Sequence, residues 1–245
     1  MTLCATVATS LAHVHVPDHF RLPDDRLHEF LSTVRPGNLV TVHEDGPLAT
    51  FVPIHLEERE GERHLVTHLV RNNPQVRTPV TGPGMVIIDI ADAYISPLWY
   101  ATNDQLPNVP TWDYITIHAW GTVKIDLEPT AALRAARELT SRMEPGDVLE
   151  KVGDHKLGLM SRAIVAVELT VERLVGKAKM SQNRHPDDIR ALIERLDGSA
   201  APEITNYLRE VSLPHAEKRF GTIERLQTRG RPVAAHGTID PADKG

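Results

Sequence analysis

A histidine and an arginine lie three residues apart at the end of a strand-like run, in residues 67–74 (THLVRNNP). A neutral imidazole such as that of His68 can ligate iron or hydrogen-bond a flavin ring, and the Arg71 guanidinium can hold a carboxylate or phosphate. Taken alone, the pair is better explained by a histidine bonded to a backbone carbonyl and an arginine that holds the turn. The segment becomes a candidate site only in company with other residues.

Two aromatic clusters follow, at residues 94–100 (YISPLWY) and 109–114 (VPTWDY). Pro97 removes a backbone donor directly before Trp99 and Tyr100, and such a turn can lay a ring over a planar cofactor. In the second cluster Thr111 offers a hydroxyl and Trp112 an indole. Each cluster alone could be a rigid packed corner, but two of them so close together favour a shared aromatic pocket.

A polar run, residues 179–184 (KMSQNR), follows a predicted strand. Lys179, Ser181 and Arg184 could bind an anionic group through ammonium, hydroxyl and guanidinium. Ser181 has no local base or glycine elbow, which argues against a nucleophilic role. His118 lies on a predicted strand, where its side chain points to the side opposite Ile117 and Ala119. It either reaches the same pocket or faces a subunit interface. Together, the four clusters are predicted to form the wall of one site.

Composition excludes several classes of function. The formal net charge of the 245 residues is −6, which does not favour binding to phosphate backbones. A single cysteine, Cys4, excludes an internal disulfide framework and a cysteine-based zinc site. His13, His15 and His19 lack an acidic or thiol partner at a fitting distance, so incidental histidines explain them better than a metal site. Without a signal peptide pattern or a long apolar run, we expect a cytoplasmic protein with no membrane span.

Periodicity predicts the elements that must position these residues. Apolar spacing indicates a helix over 24–34, and Asp45-Gly46 suits the turn of a hairpin between 38–43 and 48–56. Further strands are predicted at 64–69, 84–90, 115–125 and 164–174, with helices at 130–143, 147–160, and around Ile189 and Ile204. This count suggests a closed or nearly closed antiparallel sheet, mainly β, with helices outside it.

These motifs, in this order over about residues 16–196, resemble the PaiB family, described as FMN-binding negative transcriptional regulators. The resemblance implies a flavin-reductase-like split β-barrel and a homodimer with cofactor sites at or near its interface. The same sequence family contains haem-dependent piperazate synthases, which close a nitrogen-nitrogen bond. PaiB-type sequences usually carry a histidine at the position of Phe51, and in lacking it this chain resembles the synthases. In keeping His118 and Asn183-Arg184 it resembles PaiB. Asn72 stands where alanine is usual.

Carried onto this chain, the resemblance makes His68 the candidate haem-iron ligand and Lys179 a second catalytic group. The candidate cofactor-binding residues are His68, Arg71, Asn73, Ser96, Trp99, Tyr100, Thr111, Trp112, His118, Lys179, Ser181, Gln182 and Arg184. The expected domains are an N-terminal tail (1–12), the split barrel (13–184), a helical appendage (185–214) and a disordered tail (215–245).

The first choice of cofactor is haem b, in a redox enzyme that acts on a small N-hydroxylated amine or amino acid, with possible nitrogen-nitrogen bond formation. The alternatives are an FMN-binding regulator of the PaiB type and an FMN-dependent oxidoreductase. A small-molecule substrate and a homodimer are expected, and nucleic acid is not.

Overall fold

The computed structural model describes residues 14–146 and 148–229, with side chains to residue 227. Alternating apolar and polar residues form its six strands: β1 (Arg35–His43), β2 (Gly46–Arg59), β3 (Glu62–Val70), β4 (Gly84–Ile95), β5 (Thr111–Asp126) and β6 (Ile164–Lys179). All pairs are antiparallel, and the strands close into a barrel in the order β1-β2-β3-β6-β5-β4. The predicted antiparallel sheet is therefore confirmed. Each strand in the structure is longer than the range predicted for it from the sequence.

Alternation along each strand decides which side chains fill the barrel. On β5, Ile115, Ile117 and Ala119 are buried inside, whereas the intervening residues are only partly covered on the outer face. The predicted hairpin forms between β1 and β2, with His43 paired to Gly46, whose φ of +118° only glycine adopts without strain. Burial of this inner face is the main stabilising contribution, because apolar area removed from water stabilises by about 25 cal/mol per Å².

Gly121 allows two long strands to cross closely at a bulge. The register between β5 and β6 shifts at Trp120 and Gly121, and a Cβ on Gly121 would lie 1.7 Å from the Thr170 carbonyl oxygen. No side chain fits there, so the bulge requires glycine. The bulge lets β6 pair with β3 along its first half and with β5 along nearly all of its length.

Seven helices accompany the barrel in the described residues. They are α1 (Asp24–Leu31), α2 (Pro74–Arg77), α3 (Pro129–Met143), α4 (Asp154–Ser161), α5 (Pro186–Leu196), α6 (Pro202–Tyr207) and α7 (Leu213–Arg229). The predicted helices at 24–34 and 130–143 are confirmed, the first ending at Leu31. Ala135 of α3 packs against Val66 and Ala166, which places α3 on the outer face of β3 and β6.

The predicted helix over 147–160 is wrong in its first half. Gly153 has a φ of +80°, a left-handed conformation that interrupts the helix, so α4 begins only at Asp154. Before it lies a short 3-10 turn from Glu150 to Val152. Asp147 itself lies outside the described residues.

The C-terminal helices, predicted as a helical appendage, pack on the barrel. Ile189, Leu192, Ile204 and Leu208 belong to the same apolar core as the strands. The predicted disordered tail, 215–245, is helical as far as Arg229 in α7. Pro214 lies where the π-helical segment Leu208–Ser212 joins α7, and the helix continues past it.

Between α6 and α7 the chain continues through a π-helical segment, Leu208–Ser212, in which the Leu213 N–H donates to the Leu208 carbonyl. Ala216 is fully buried, and the rings of His185 and Phe220 lie 4.8 Å apart, so α7 is packed against α5. Residues 230–245, the predicted N-terminal tail, Cys4 and His13 lie outside the described residues.

Candidate functional site

His68 lies on the outer face of β3, where it pairs with Ala166 of β6. Its neighbours Leu69 and Thr67 point into the barrel, and alternation turns the imidazole outwards. The ring is partly buried, Nδ1 has no hydrogen-bond partner in the described residues, and burial lowers the pKa of His68. A neutral imidazole with an unused nitrogen is suited to accept a hydrogen bond or ligate a metal.

Arg71 and Asn73 are engaged in building the turn that ends β3. The Arg71 guanidinium donates to the carbonyls of Arg162 and Leu127, both at 2.8 Å, and to that of Ile164 at 3.4 Å. Asn73 caps α2, its Oδ1 accepting from the Gln75 N–H at 2.9 Å. The explanation of Arg71 as a residue that holds the turn is thus correct for its hydrogen bonds, although its charge meets no carboxylate there.

Two further arginines, missed in the sequence, join Arg71 around one open pocket. The pocket has a volume of about 530 Å³ and is lined by Val70, Arg71, Asn72, Arg77, Arg162 and Ala163. No carboxylate lines it among the residues that the structure describes, and Arg77 and Arg162 are exposed. Three guanidinium charges without a nearby acid attract an anion, and we call this the arginine pocket.

The arginine pocket is continuous with the outer face that carries His68. Val70, 54% exposed, lines the pocket and is two residues from His68 on the same side of β3. Phe51, 68% exposed, lies on the outer face of the neighbouring strand β2. The arginine pocket therefore adjoins an open, partly apolar surface, which we call the His68 face (Phe51, His68 and Val70).

A second group of polar residues gathers where β5 begins and β6 ends. Lys179 Nζ donates to Thr111 Oγ1 at 2.6 Å and to the Trp112 carbonyl, and lies 4.0 Å from Asp113 Oδ1. Asp113 is 1% exposed, and its Oδ2 accepts from the Ser181 hydroxyl at 2.7 Å. Burial raises the pKa of Asp113 to about 6, against the opposing effects of Ser181, Lys179 and Arg184.

The sequence reasoning overlooked Asp113, although a signal was present. Its position continues the inward series of Ile115, Ile117 and Ala119, so an acidic residue there must be buried. Buried carboxyls whose pKa is strongly raised occur preferentially at functional sites. Asp113 is therefore the main addition that the structure makes to the predicted site residues.

The turn after β6 holds the other residues of the KMSQNR run. Ser181 has a φ of +57°, an uncommon conformation for a residue other than glycine. Gln182 secures it by donating to the Ala178 carbonyl at 2.6 Å and accepting from the Met180 N–H at 2.7 Å. Arg184 stacks over the ring of Tyr100 at 4.7 Å and donates to Asn108. Gln182 is thus structural, and Arg184 is partly occupied.

The two aromatic clusters meet, as predicted. The Tyr94 ring lies 6.0 Å from that of Trp112 and 6.2 Å from that of Trp99, edge to face in both pairs. Tyr94 and Trp112 are 45% and 53% exposed, whereas Tyr100 is buried. Ser96 caps the turn from Pro97 to Trp99 through the Leu98 N–H, so its hydroxyl is already used.

His118 faces outwards from β5, as its alternation with Ile117 and Ala119 predicted. It lines a shallow cavity of about 480 Å³ with Trp112, Tyr114 and Lys177, among other residues. Nδ1 has no partner in the described part of the chain, and burial lowers the pKa of His118. Trp112 borders this cavity, which therefore adjoins the Lys179 group.

Within one chain, the four clusters do not form a single wall. His68 pairs with Ala166 near the start of β6, whereas Lys179 is the last residue of that strand. The structure brings Thr111, Trp112, Lys179, Ser181 and Arg184 together, with His118 beside them, and leaves His68, Arg71 and Asn73 at the other end. The physical reason is that β6 is long and each of its ends pairs with a different strand.

Comparison with known sequences adds a family. Residues 14–173 match a family described as a putative FMN-binding domain. The chain is 27% identical over 198 residues to the protease synthase and sporulation protein PAI 2 of Bacillus subtilis, a match that covers 77% of this chain and 92% of that protein. An uncharacterized protein of Aspergillus fumigatus, AFUA_5G13800, is 24% identical over 201 residues, and the match covers 74% of this chain and 74% of that protein.

Among solved structures, the flavocytochrome Anf3 of Azotobacter vinelandii shares the fold. The TM-score is 0.52 at 12% sequence identity, over 67% of this chain and 72% of that one. The predicted flavin-reductase-like split barrel is confirmed by this likeness together with the strand order. In the described part of the chain, no helix is long and apolar enough to cross a membrane, and no group of three or more potential metal ligands occurs.

Proposed function

This chain belongs to the PaiB family of FMN-binding split-barrel proteins, and from that premise we propose that it binds FMN with the phosphate in the arginine pocket. The observation that carries the proposal is the convergence of Arg71, Arg77 and Arg162 without a lining carboxylate. A phosphate dianion is the complement of such a pocket, because guanidinium groups donate paired, charge-assisted hydrogen bonds to phosphate oxygens.

The His68 face is suited to the flat part of the same ligand. Val70 joins the pocket to this face, and the exposed Phe51 supplies apolar area for a ring. His68, whose pKa is lowered by burial, places a neutral imidazole beside this face, next to the ring. Bound FMN would supply one- and two-electron redox chemistry, while these residues bind and orient it.

FMN titration of the purified full chain tests the proposal. We expect saturable quenching of flavin fluorescence with one FMN per chain, and weaker binding of riboflavin, which lacks the phosphate. Because phosphate contacts are electrostatic, the FMN affinity should fall as salt is raised from low to physiological ionic strength. Equal affinities for FMN and riboflavin would contradict the role of the arginine pocket.

Haem b, our first choice from the sequence, remains a second candidate because of one observation. Nδ1 of His68 is buried and has no hydrogen-bond partner in the described residues, so the neutral imidazole is uncommitted and suits an axial donor to iron, with the arginine pocket beside it for propionates. The similarity to a flavocytochrome fold gives limited support. Processing of an N-hydroxylated amine, with nitrogen-nitrogen bond formation, depends on this candidate.

Replacing His68 with alanine separates the two cofactors. If haem binds through this side chain, protein expressed with haem available shows a Soret band that His68→Ala abolishes or shifts. If FMN is the cofactor, the same variant keeps flavin and loses affinity by about tenfold or less, the size of one hydrogen bond. A Soret band that is identical in both proteins would contradict ligation by His68.

A homodimer is the assembly that we propose. Apolar side chains remain exposed beside both groups of site residues, notably Phe51 and Val70 on one side and Leu98, Val109 and Trp112 on the other. In this arrangement, the residues around Lys179 of a second copy would cover the His68 face of the first. One site would then be completed by two chains. Sedimentation of the FMN-loaded protein as a single chain would contradict it.

Two roles for the bound cofactor follow from the family, and both stay proposals. An FMN-dependent oxidoreductase needs only a second, small-molecule substrate that reaches the bound flavin ring. A regulator must also bind DNA or a partner, and the net charge of −6 gives that role no support. Oxidation of a reduced nicotinamide by the FMN-loaded protein favours the first role. A cytoplasmic location, expected from the sequence, likewise stays a prediction.

A further inference from the structure

Asp113 carries a buried carboxyl whose two oxygens have unequal surroundings. Oδ2 accepts from the Ser181 hydroxyl at 2.7 Å, but Oδ1 has no hydrogen-bond partner in the described residues. The nearest cation to Oδ1 is Lys179 Nζ at 4.0 Å, beyond hydrogen-bond distance. Leaving a carboxylate oxygen without a donor is unfavourable, so the arrangement is one that a small shift of Lys179 can change.

Lys179 connects this carboxyl to the surface. Its Nζ donates to two neutral oxygens, of Thr111 and of the Trp112 backbone, and its side chain is 30% exposed. Beside it, the rings of Trp112 and Tyr94 stand edge to face and are about half exposed. An ammonium next to flat apolar walls matches a ligand that joins an anionic group to a ring.

We propose that Lys179, Trp112 and Tyr94 form a binding subsite for a small aromatic carboxylate, and that Asp113 is the positioning residue that sets the affinity of Lys179 for it. The carboxylate pairs with the ammonium, and the ring packs against the two aromatic side chains. Tyr94, Trp112 and Asp113 lie within the residues matched to the FMN-binding domain, whereas Lys179 follows that match, which ends at 173. The subsite needs neither FMN nor haem to form.

The charges that face Asp113 determine the direction of the pH dependence. They are Lys179 at the end of β6 and Arg184 in the turn after it, with the Ser181 hydroxyl beside them and the Tyr100 ring opposite. Below about pH 6 Asp113 is neutral, and Lys179 is free to pair with an external anion. Above it, the ionised carboxylate competes for the ammonium, so the affinity for an anion decreases.

Benzoate is the probe that tests this subsite, in the purified full chain without added cofactor. Binding is followed by tryptophan fluorescence from pH 5 to 8, where benzoate stays ionised. We expect the affinity to fall about threefold to fivefold as the pH rises through 6, the size of one partly exposed ion pair. Asp113→Asn should keep the low-pH affinity throughout, and Lys179→Gln should bind weakly at every pH.

Two further variants serve as a control for the loss of a lysine and as an alternative to Asp113→Asn. Lys156→Gln removes an exposed lysine of α4, away from this subsite, and should behave as the wild type. If Asp113→Asn does not fold, Ser181→Ala serves, because loss of the hydroxyl that lowers the pKa of Asp113 moves the midpoint to higher pH. Absence of saturable benzoate binding, or an affinity independent of pH in the wild type, overturns the proposal and leaves FMN binding untouched.

Discussion

Replacing Arg77 and Arg162 together with glutamine should lower the affinity for FMN by at least about 100-fold. Each guanidinium offers a charge-assisted hydrogen bond to the phosphate, and such bonds contribute about 1.5–3 kcal/mol each. Two of them amount to at least about 3 kcal/mol, and each 1.4 kcal/mol is a factor of ten in affinity. Calorimetric titration at constant ionic strength measures the loss. Arg71 is left intact because it holds three backbone carbonyls of the turn.

Riboflavin and a distant arginine are the controls for this double variant. Riboflavin has the same ring system but no phosphate, so its affinity should not change. Arg190→Gln removes an exposed guanidinium on α5 that pairs with Asp187 and Glu217, and should leave FMN binding unchanged. A loss of affinity that is equal for FMN and riboflavin would show that the substitutions disturb the fold instead of the phosphate contact.

Asp113→Asn should make the folded protein more stable at pH 8, by up to about 3 kcal/mol, and not at pH 4. Burial raises the pKa of Asp113 from 3.8 to about 6, so the folded state prefers the protonated carboxyl. The stability that this preference contributes is complete below about pH 4 and is lost as the pH rises through 6. A shift of about two units corresponds to about 3 kcal/mol. Asparagine is neutral at every pH and avoids the loss.

Urea denaturation of both proteins at pH 4, 6 and 8 measures this difference. Comparison of the two at each pH cancels the titration of the other groups. Ser181→Ala is the companion variant, since it removes the hydroxyl that favours the ionised form and should decrease stability at pH 8. A difference between Asp113→Asn and the wild type that does not vary with pH would mean that Asp113 titrates normally. A buried carboxyl that lowers the stability of the folded protein at neutral pH is expected mainly where it serves a function.

The strands could be predicted because their signal is local. Ile115, Ile117 and Ala119 repeat with the period of a sheet, and any chain with that pattern exposes one face and buries the other. The errors came from backbone conformations that periodicity does not encode. Gly153 adopts a left-handed φ that divides the helix predicted over 147–160. The chain from Leu213 to Arg229, predicted to be disordered, is helical because it continues directly from the π-helical segment.

The candidate site was only partly predictable because it depends on contacts between distant residues. Arg162 joins Arg71 only after β6 pairs with β3, and nothing in the local sequence marks it as part of a pocket. Lys179 and Trp112 were found because they belong to dense polar and aromatic clusters that the sequence shows directly. Asp113 could have been found by the same argument, as an acid on the buried face of a strand.

The length of β6 makes the two ends of the barrel thermodynamically separate. Its first residues support the His68 face and its last residues support Lys179, with the Gly121 bulge between them. Perturbations that share no partner add in free energy. Within one chain, substitutions at the two ends should therefore act independently, whereas the proposed dimer would bring His68 and Lys179 together and couple them. Non-additivity between these two residues is thus a direct report on quaternary structure.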